Sequence, residues 1–439
     1  MNNFNKNILL ICFLFLFFGV VVISCSDDNK NIESYDPSLP VLTNSFTPDS
    51  GGIATQVILK GSNFGTDTSL VKVYFNKKKA AIISIKGDQM YVLVPRLPGD
   101  TCTVSVKIGN DSVLFTRPFY YKKGFSVTTI AGQPGSQSFQ EGTLATAQFG
   151  GVQHLAVDAQ NNVFVTQRNE VGPPVCSVLN EASNSVTYLF TGGDNLNVPT
   201  VDQNTQIVYV PLDPTDTYYE LNPANMWISR TRMILHPSAE QQAGDPPMVD
   251  FKTIDWKHSF AFCAYDGMIY TRAYRGDLIK FDPKTRIGQL VASNLENGDS
   301  YLVFDPVNPY LLYIAYASRH CIYTFNILTK EHKLFAGSPG RPGWNDGIAL
   351  DAEFNAPRQI TLDSEGNLYV ADENNHCIRM INKEGIVTTP IGLPGKSGYV
   401  DGNPEIALLN RPKGVSVDKD GNVYIADYGN RCIRKLTLQ

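Results

Sequence analysis

Two stretches near the C-terminus repeat each other, and this repeat restricts the fold more than any other feature of the sequence. Residues 357–372 read PRQITLDSEGNLYVAD and residues 412–427 read PKGVSVDKDGNVYIAD, with an offset of 55 positions. In each Asp-x-x-Gly-Asn turn the Asp is expected to bond its own backbone and the Gly to accept a positive φ. A third apolar run follows, beginning at Cys377 or Cys432. Such a β-meander is too small to bury its faces alone, so copies must pack against one another.

Four weaker copies precede these two. They begin at Leu155, Val201, Phe262 and Val303. The six copies resemble NHL repeats, whose unit is one four-stranded blade of a β-propeller. The resemblance implies a six-bladed β-propeller over residues 125–439. The 35 Gly, 26 Pro, 21 Tyr and 23 Phe residues suit short strands joined by tight turns. Because apolar residues outside the N-terminus alternate or cluster rather than recur at helical spacing, the predicted fold class is all-β.

The two ends of the repeat array indicate how it closes. The fifth copy ends in a fourth run, Ile386-Val387-Thr388-Thr389, whereas the sixth reaches Gln439 after its third run. A matching run, Val127-Thr128-Thr129, stands at the start of the array. We expect this N-terminal strand to complete the last blade, fastening first to last and removing an exposed sheet edge.

Residues 39–122 are predicted to form a separate small domain. Runs of alternating apolar residues, such as Val71–Phe75, are separated by turn residues at the spacing of a β-sandwich. The strings FTPDSGG (46–52) and LKGSNFG (59–65) resemble the IPT/TIG family of immunoglobulin-like domains. In surface lipoproteins such modules usually act as spacers, and no metal-ligand cluster or nucleophile–base pair in this segment argues otherwise.

The N-terminus carries an export signal. Residues 1–25 hold a single Lys6 and an apolar run from Ile8 to Ile23, which is too short for a stable membrane span and indicates a signal peptide. The residues ending at Cys25 resemble a bacterial lipobox, which implies lipidation of Cys25; an ordinary signal peptide with a chance Cys is the alternative. The acidic residues that follow resemble a signal for the outer face of the outer membrane. Residues 26–38 would be a flexible tether, and the lipid would be the only membrane attachment.

Several function classes find no support in the sequence. The net charge of −5 and scattered Lys and Arg exclude an obvious nucleic-acid surface. No nucleophile motif is present, and the six His lack metal-ligand spacing, so we predict no catalytic residues, metal or cofactor. We place Cys176, Cys321, Cys377 and Cys432 at one third-strand position in four blades, too far apart for disulfides, and predict free buried thiols.

A candidate binding face comes from the loops. The loops after the second and fourth strands of a meander emerge on the same side. Three long loops there place an aromatic residue two positions before an acid; they contain Phe139 and Glu141, Trp344 and Asp346, and Tyr399 and Asp401. Aromatic faces beside carboxylates suit carbohydrate. The alternative is that the aromatic residue only caps a blade junction, because the pattern is common among NHL-type repeats.

A second group of candidates lies where the middle blades depart from the repeat. It comprises Arg272, Tyr274, Arg275, Arg319 and His320. Departures from a structural consensus are expected where function overrides regularity. Decay of the repeat explains them equally well. We interpret Asp372 with Arg379, and Asp427 with Arg434, as structural ion pairs or turn residues because they recur with the repeat.

Three functions remain compatible with these observations. The first is a monomeric, non-catalytic protein on the outer-membrane surface that captures carbohydrate on the loop face of the propeller. The second is a protein–protein scaffold with an outer-membrane partner. The third is a propeller lyase or hydrolase with a metal near the axis, which a cluster of two or more His or carboxylates there would favour.

Overall fold

The computed structural model describes residues 34–438 except 53–54, 96–98, 123 and 194. Within that part the regular structure is nearly all β, as predicted, with one short helix, α1 (Ala239–Gln242). No helix in the described part has the length and apolar character needed to cross a bilayer. The signal peptide, Cys25 and most of the tether lie outside the described residues. The chain divides after Lys122 into two compact units.

The first unit holds eleven strands in its described part. They are β1 (Leu42–Thr47), β2 (Ser50–Gly51), β3 (Gln56–Ser62), β4 (Val71–Phe75), β5 (Lys78–Lys79), β6 (Ala81–Lys86), β7 (Gln89–Leu93), β8 (Thr101–Cys102), β9 (Val104–Ile108), β10 (Asp111–Leu114) and β11 (Phe119–Tyr121). They form sheets in the orders β1-β3-β7-β6, β10-β9-β4-β5 and β2-β11-β8. Alternate residues of β4 point inward, and Phe75 meets Phe119 edge to face at 5.1 Å between ring centroids. The period-two pattern therefore builds the core of this unit.

The second unit is a succession of small antiparallel sheets. Sheet 1 has β13 (Val152–Val157), β14 (Asn162–Gln167), β15 (Val175–Asn180) and β16 (Ser185–Thr191). Sheet 2 has β17 (Asn195–Leu196), β18 (Thr200–Val201), β19 (Val208–Asp213), β20 (Thr217–Leu221) and β21 (Ser229–Met233). Sheet 3 has β22 (Phe260–Phe262), β23 (Ile269–Arg272), β24 (Leu278–Phe281) and β25 (Gly288–Ala292).

The remaining sheets follow the same plan. Sheet 4 has β26 (Ser300–Phe304), β27 (Leu311–Tyr316), β28 (Cys321–Asn326) and β29 (His332–Gly337). Sheet 5 has β30 (Gly347–Ile348), β31 (Pro357–Leu362), β32 (Leu368–Asp372), β33 (Cys377–Ile381) and β34 (Ile386–Ile391). Sheet 6 joins β35 (Pro412–Val417), β36 (Val423–Asp427) and β37 (Cys432–Leu438) to β12 (Phe125–Gly132), which comes from the start of the unit.

The pairing predicted between the first and last strands of the array is present. Strand β12 lies antiparallel to β37, with Val127 opposite Leu436 and Gly132 opposite Cys432. The N-terminal strand is thus the outermost strand of sheet 6. Its hydrogen bonds cover the edge that β37 would otherwise expose.

One strand from each of the six sheets contacts the corresponding strand of the next sheet. Strand β13 touches β18, β18 touches β22, β22 touches β26, β26 touches β31, β31 touches β35, and β35 touches β13. A cavity of about 430 Å³, which we call the central cavity, is lined by residues from these strands and the turns after them, including Gln359. Each sheet therefore contributes its innermost strand to one shared interior.

The cysteines are free and buried, as predicted, at all six described positions. One detail of the prediction is wrong. Cys321, Cys377 and Cys432 each face the last residue of the second strand, whereas Cys176 faces Thr166, one residue earlier in β14. Val175 holds the equivalent place in sheet 1. Because side chains alternate along a strand, this shift puts the Cys176 thiol on the opposite face of its sheet.

Candidate ligand-binding site

The three long loops share a structural function at their glycine. Gly142, Gly347 and Gly402 pair with residues of an outermost strand, Val186 in β16, Val387 in β34 and Val127 in β12 respectively. Each glycine has a positive φ. In sheet 5 this pairing forms the short fifth strand β30, whereas Gly142 and Gly402 each make a single bridge to the edge of sheet 1 or sheet 6. The recurrence of this contact at Val127 also shows that β12 occupies the same place as β34 and β16.

The acids of two of these loops are held by buried arginines. Asp346 accepts a hydrogen bond from Arg379 at 2.7 Å, and Asp401 accepts one from Arg434 at 2.6 Å. The same arginines pair with Asp372 and Asp427 at 3.1 and 2.8 Å, so the predicted ion pairs are confirmed. Each arginine therefore joins two carboxylates, and the two networks are Asp346–Arg379–Asp372 and Asp401–Arg434–Asp427. These carboxylates fasten loops to sheets.

Burial dominates the electrostatics of these networks. Desolvation raises the pKa of Asp372 and Asp427 to about 6. The ionised form is favoured by Arg379 and the Asn375 side-chain amide at Asp372, and by Arg434 and the Asn430 side-chain amide at Asp427. In the loop of sheet 1, Glu141 instead accepts a hydrogen bond from the backbone of Tyr188 at 3.1 Å. All three acids of the loop motif are therefore engaged within the protein.

The aromatic residues of the motif differ in their surroundings. Phe139 packs beside Phe149 and Tyr188, and the Tyr399 ring lies under the guanidinium of Arg434 at 5.0 Å. The Trp344 side chain is more than half exposed (56%). It borders a hollow of about 560 Å³ that we call the Trp344 hollow. The hollow is lined by Trp344, Asn345, Asp346, Thr389, Pro390, Gly392, Leu393, Pro394, Pro404 and Glu405.

The candidates from the middle sheets separate into buried and exposed groups. Arg272 is buried and donates to the carbonyls of Ala273, Glu296 and Gly298, so its terminal nitrogens are occupied within the fold. Its guanidinium also lies 4.7 Å from the centroid of the Tyr316 ring. These contacts indicate that Arg272 supports the end of its sheet.

Tyr274, Arg275 and Arg319 are exposed. Arg275 pairs with Asp255 at 3.1 Å and Arg319 with Glu296 at 2.8 Å. These three residues remain accessible to a ligand, but they do not border the Trp344 hollow.

His320 has a structural function that the sequence did not reveal. It follows the 3₁₀ turn Ala317–Arg319 with φ 58°, and its Nδ1 accepts a hydrogen bond from the Ala356 amide at 3.0 Å. His376 repeats this arrangement after the turn Glu373–Asn375, accepting from the Arg411 amide at 3.0 Å. Both side chains thus tie one sheet to the loop entering the next.

A cluster of basic residues lies where the innermost strands begin. Tyr301, Arg358 and Lys413 are the second residues of β26, β31 and β35 respectively; Tyr301 pairs with Ala315, whereas Arg358 and Lys413 lie at register shifts of their strands. Arg358 donates to Glu373 at 2.6 Å, and Arg411 binds the other oxygen of Glu373 at 2.6 Å. We call Arg358, Arg411 and Lys413, with Glu373, the basic cluster. It lies at the end of the sheets that carries the loops after their second strands.

Two histidines adjoin the basic cluster. The rings of His154 and His258 lie 5.5 and 6.0 Å from the ring of Tyr301. His258 is 3.4 Å from Asp299, which also accepts from Arg358 at 3.1 Å. Burial lowers the pKa of both histidines, and for His154 the charges of Lys413 and Arg358 add to the effect. Neutral imidazoles are therefore expected at neutral pH.

This convergence is the functional feature that sequence reasoning missed. A signal was present, because the repeat places a basic residue after proline in both clear copies, at Arg358 and Lys413. The sequence could not indicate that His154 and His258, from other sheets, meet these residues. Among the described residues no group of three or more His, Cys, Asp or Glu is arranged to hold a metal ion.

Comparison with known proteins accounts for both parts of the chain. The IPT/TIG domain model matches residues 40–121, and the NHL repeat model matches residues 354–379 and 409–436. The chain combines an IPT/TIG domain with NHL repeats. A similar stretch of 135 residues, 27% identical, occurs in Protein SUPPRESSOR OF QUENCHING 1, chloroplastic, from Arabidopsis thaliana; it covers 29% of this chain and 13% of that protein. NHL repeat-containing protein 2 from Gallus gallus is 38% identical over 84 residues, 19% of this chain and 11% of that protein.

The solved structures extend over both units. A structural genomics protein of unknown function from Bacteroides thetaiotaomicron is 26% identical, with a TM-score of 0.65, over 93% of this chain and 100% of that one. An auxiliary nutrient binding protein from Bacteroides ovatus is 22% identical, with a TM-score of 0.75, over the same shares. The second likeness establishes a shared fold. The curated relatives, by contrast, are matched over only a small part of their own length.

Proposed function

We propose that this protein is a non-catalytic, lipid-anchored binding protein of the bacterial outer surface that captures carbohydrate in the Trp344 hollow. In this proposal the six sheets form a six-bladed propeller closed by β12, and the IPT/TIG domain is a spacer between the lipid on Cys25 and the propeller. The observation that carries the ligand class is the exposed Trp344 at the edge of a hollow of about 560 Å³.

The chemistry of the hollow suits a sugar. An indole face packs against the C–H face of a pyranose, and carboxylates accept hydrogen bonds from its hydroxyls. Asp346, whose side chain is 46% exposed, and Glu405 supply such acceptors beside Trp344. Because Arg379 and Thr389 fix Asp346, with Thr389 donating at 3.0 Å, the acceptor is held in place before the ligand arrives.

The names of related structures agree with a binding function. The Bacteroides ovatus protein that shares this fold is described as an auxiliary nutrient binding protein. A second protein described in the same words, from Bacteroides thetaiotaomicron, is 22% identical with a TM-score of 0.62. Both come from Bacteroides species, and their descriptions support a binding function for this chain.

The test is a glycan panel with a matched pair of variants. Trp344→Ala should weaken binding of a retained glycan by about 2 kcal/mol, or about 30-fold in Kd, as for an aromatic anchor at the centre of an interface. Trp256→Ala removes a similarly exposed tryptophan (45%) outside the hollow and should leave affinity unchanged. Affinity gels followed by calorimetry would measure this. Retention of no glycan by the folded protein, or equal affinity of Trp344→Ala and the unaltered chain, would refute the proposal.

A second candidate function rests on the histidines beside the basic cluster. His258, neutral at pH 7 and oriented by Asp299 at 3.4 Å, is placed as a general base acts in a lyase or hydrolase. If the protein were such an enzyme, incubation with panel glycans would release products detectable by chromatography, and His258→Ala would abolish them. Unchanged glycans after prolonged incubation with the unaltered chain would exclude this candidate for the panel.

A further inference from the structure

The basic cluster carries more positive charge than its acids neutralise. Arg358, Arg411 and Lys413 converge on the single carboxylate of Glu373, at 2.6, 2.6 and 3.9 Å. Glu373 is 1% exposed, and these cations lower its pKa despite burial. Asp299 is the second carboxylate beside the set and pairs with Arg358 at 3.1 Å, so three cations face two carboxylates. At least one cation of the set thus lacks a counter-ion of its own.

Lys413 is that cation. Its Nζ is 3.9 Å from Glu373, beyond hydrogen-bond distance, and no acceptor within hydrogen-bond distance of Nζ is found among the described residues. The ammonium lies 3.6 Å from the centroid of the Tyr428 ring, and its side chain is 13% exposed. Placing a largely desolvated ammonium without an acceptor is costly. A group that arrives from solvent would supply the missing acceptor.

The groups around Lys413 are arranged to attract an anion. Burial lowers its pKa to about 8, and Arg358, Arg411 and Arg168 add to this shift by repulsion while Glu373 opposes it. His154 faces the same charges and is neutral. Tyr428 lies under both Lys413 and Arg411, which fixes the two donors side by side.

We propose that the basic cluster is a ligand site for an oxyanion, a carboxylate or phosphate group, bound through Lys413 and Arg411. The site is separate from the Trp344 hollow, shares no lining residue with it, and does not depend on carbohydrate binding there. An oxyanion at this place accepts charge-assisted hydrogen bonds from the ammonium and the guanidinium, and it neutralises the surplus charge. Of the two donors, Arg411 is the more exposed and faces incoming ligand first.

Calorimetric titration at matched ionic strength tests the site. The probes are sodium trigalacturonate for the carboxylate, inorganic phosphate for the phosphate, and neutral galactotriose as control. We expect at least one of the two anions to bind saturably. Any binding of galactotriose should be independent of the basic cluster. Lys413→Gln should weaken the affinity for the anion by about 10-fold or more, the usual effect of losing a charge-assisted hydrogen bond. Lys284→Gln, which removes an exposed lysine from a turn at the other end of a sheet, should bind as the unaltered chain does.

A second measurement distinguishes direct contact of the anion with Lys413 from a general attraction to the positive charge of the surface. Near pH 8 Lys413 is about half protonated, so an anion bound to it should draw a proton from the buffer. This uptake appears as a dependence of the binding heat on the ionisation enthalpy of the buffer, and Lys413→Gln should abolish it. No saturable binding of either anion, or equal affinity and proton uptake in Lys413→Gln, would overturn the proposal. Loss of glycan binding in Trp344→Ala has no bearing on it, so the two proposals fail independently.

Discussion

Replacing Arg434 with methionine should destabilise the second unit by about 3–5 kcal/mol, the range for removing one partner of a buried ion pair. The guanidinium is fully buried and donates to Asp427 at 2.8 Å and to Asp401 at 2.6 Å. It also donates to the carbonyls of Val400 and Leu408 at 2.8 and 3.1 Å. Methionine fills part of the space but leaves the carboxylate of Asp427, itself fully buried, without its counter-ion.

The pH dependence of this loss has a definite sign. The pKa of Asp427 is raised by burial from 3.8 to about 6 in the folded chain, even with Arg434 present. A carboxyl whose folded pKa lies above its unfolded value contributes stability that is complete below 3.8 and is lost as the pH rises through about 6. Removing Arg434 raises the folded pKa further. The deficit of the variant should therefore be larger at about pH 7 than at about pH 5.

Urea unfolding followed by tryptophan fluorescence measures the effect, because all three tryptophans lie in the second unit. Arg275→Met is the matched control: this arginine is 82% exposed and pairs only at the surface, so its loss should change the free energy of unfolding by at most about 0.5 kcal/mol. Adding Asp427→Asn to Arg434→Met should restore part of the stability. A deficit below about 1 kcal/mol, or one of equal size at both pH values, would refute the reasoning.

Three further outcomes are expected. His320→Ala should lower the free energy of unfolding by about 1–3 kcal/mol, because the Ala356 amide loses its hydrogen-bond acceptor and alanine is left at φ 58°. An unchanged midpoint of thermal unfolding would contradict this. Cys377 and Cys432 should resist iodoacetamide in the native protein, since burial raises the pKa of the Cys432 thiol to about 12, and mass spectrometry should detect labelling only after unfolding. Thr128→Pro, opposite Lys435, removes a backbone donor from the pairing of β12 with β37 and weakens the cover over the edge of β37, so size-exclusion chromatography should reveal oligomers; a stable monomer would argue against the closing strand.

Much of the local structure followed from the sequence because the responsible interactions are short in range. The Asp-x-x-Gly-Asn turns form as predicted: Asp363 accepts from the amides of Glu365 and Asn367 at 2.9 Å, and Gly366 has φ 84°. The pairing of β12 with β37 was also predictable, since a missing strand at one end matched a spare strand at the other. Cys176 was misplaced because it is the second residue of its strand, whereas Cys321, Cys377 and Cys432 each begin theirs.

The candidate site was only partly predictable. The aromatic-x-acid motif drew attention to these loops, but two of its acids bind Arg379 and Arg434, and of its two exposed aromatic residues, Trp344 (56%) and Tyr399 (45%), only Trp344 borders the Trp344 hollow. The sequence treats Trp344 and Tyr399 alike, because they occupy one motif position. Their difference depends on the neighbouring sheet, where Arg434 lies 5.0 Å from the Tyr399 ring while the equivalent Arg379 lies over Phe354.

From the amino-acid pattern alone one can predict the β-class, the repeat, the strand that completes the last sheet and the ion pairs of the two clear copies. Those features depend on residues a few positions apart, or on a pattern that recurs at a constant offset. The meeting of Lys413, Arg358 and His154 beside Tyr301 depends on the packing of four different sheets, which no local pattern encodes. Burial of charge depends on which strands pack together, and the desolvation that makes Lys413 a candidate for an anion arises only there.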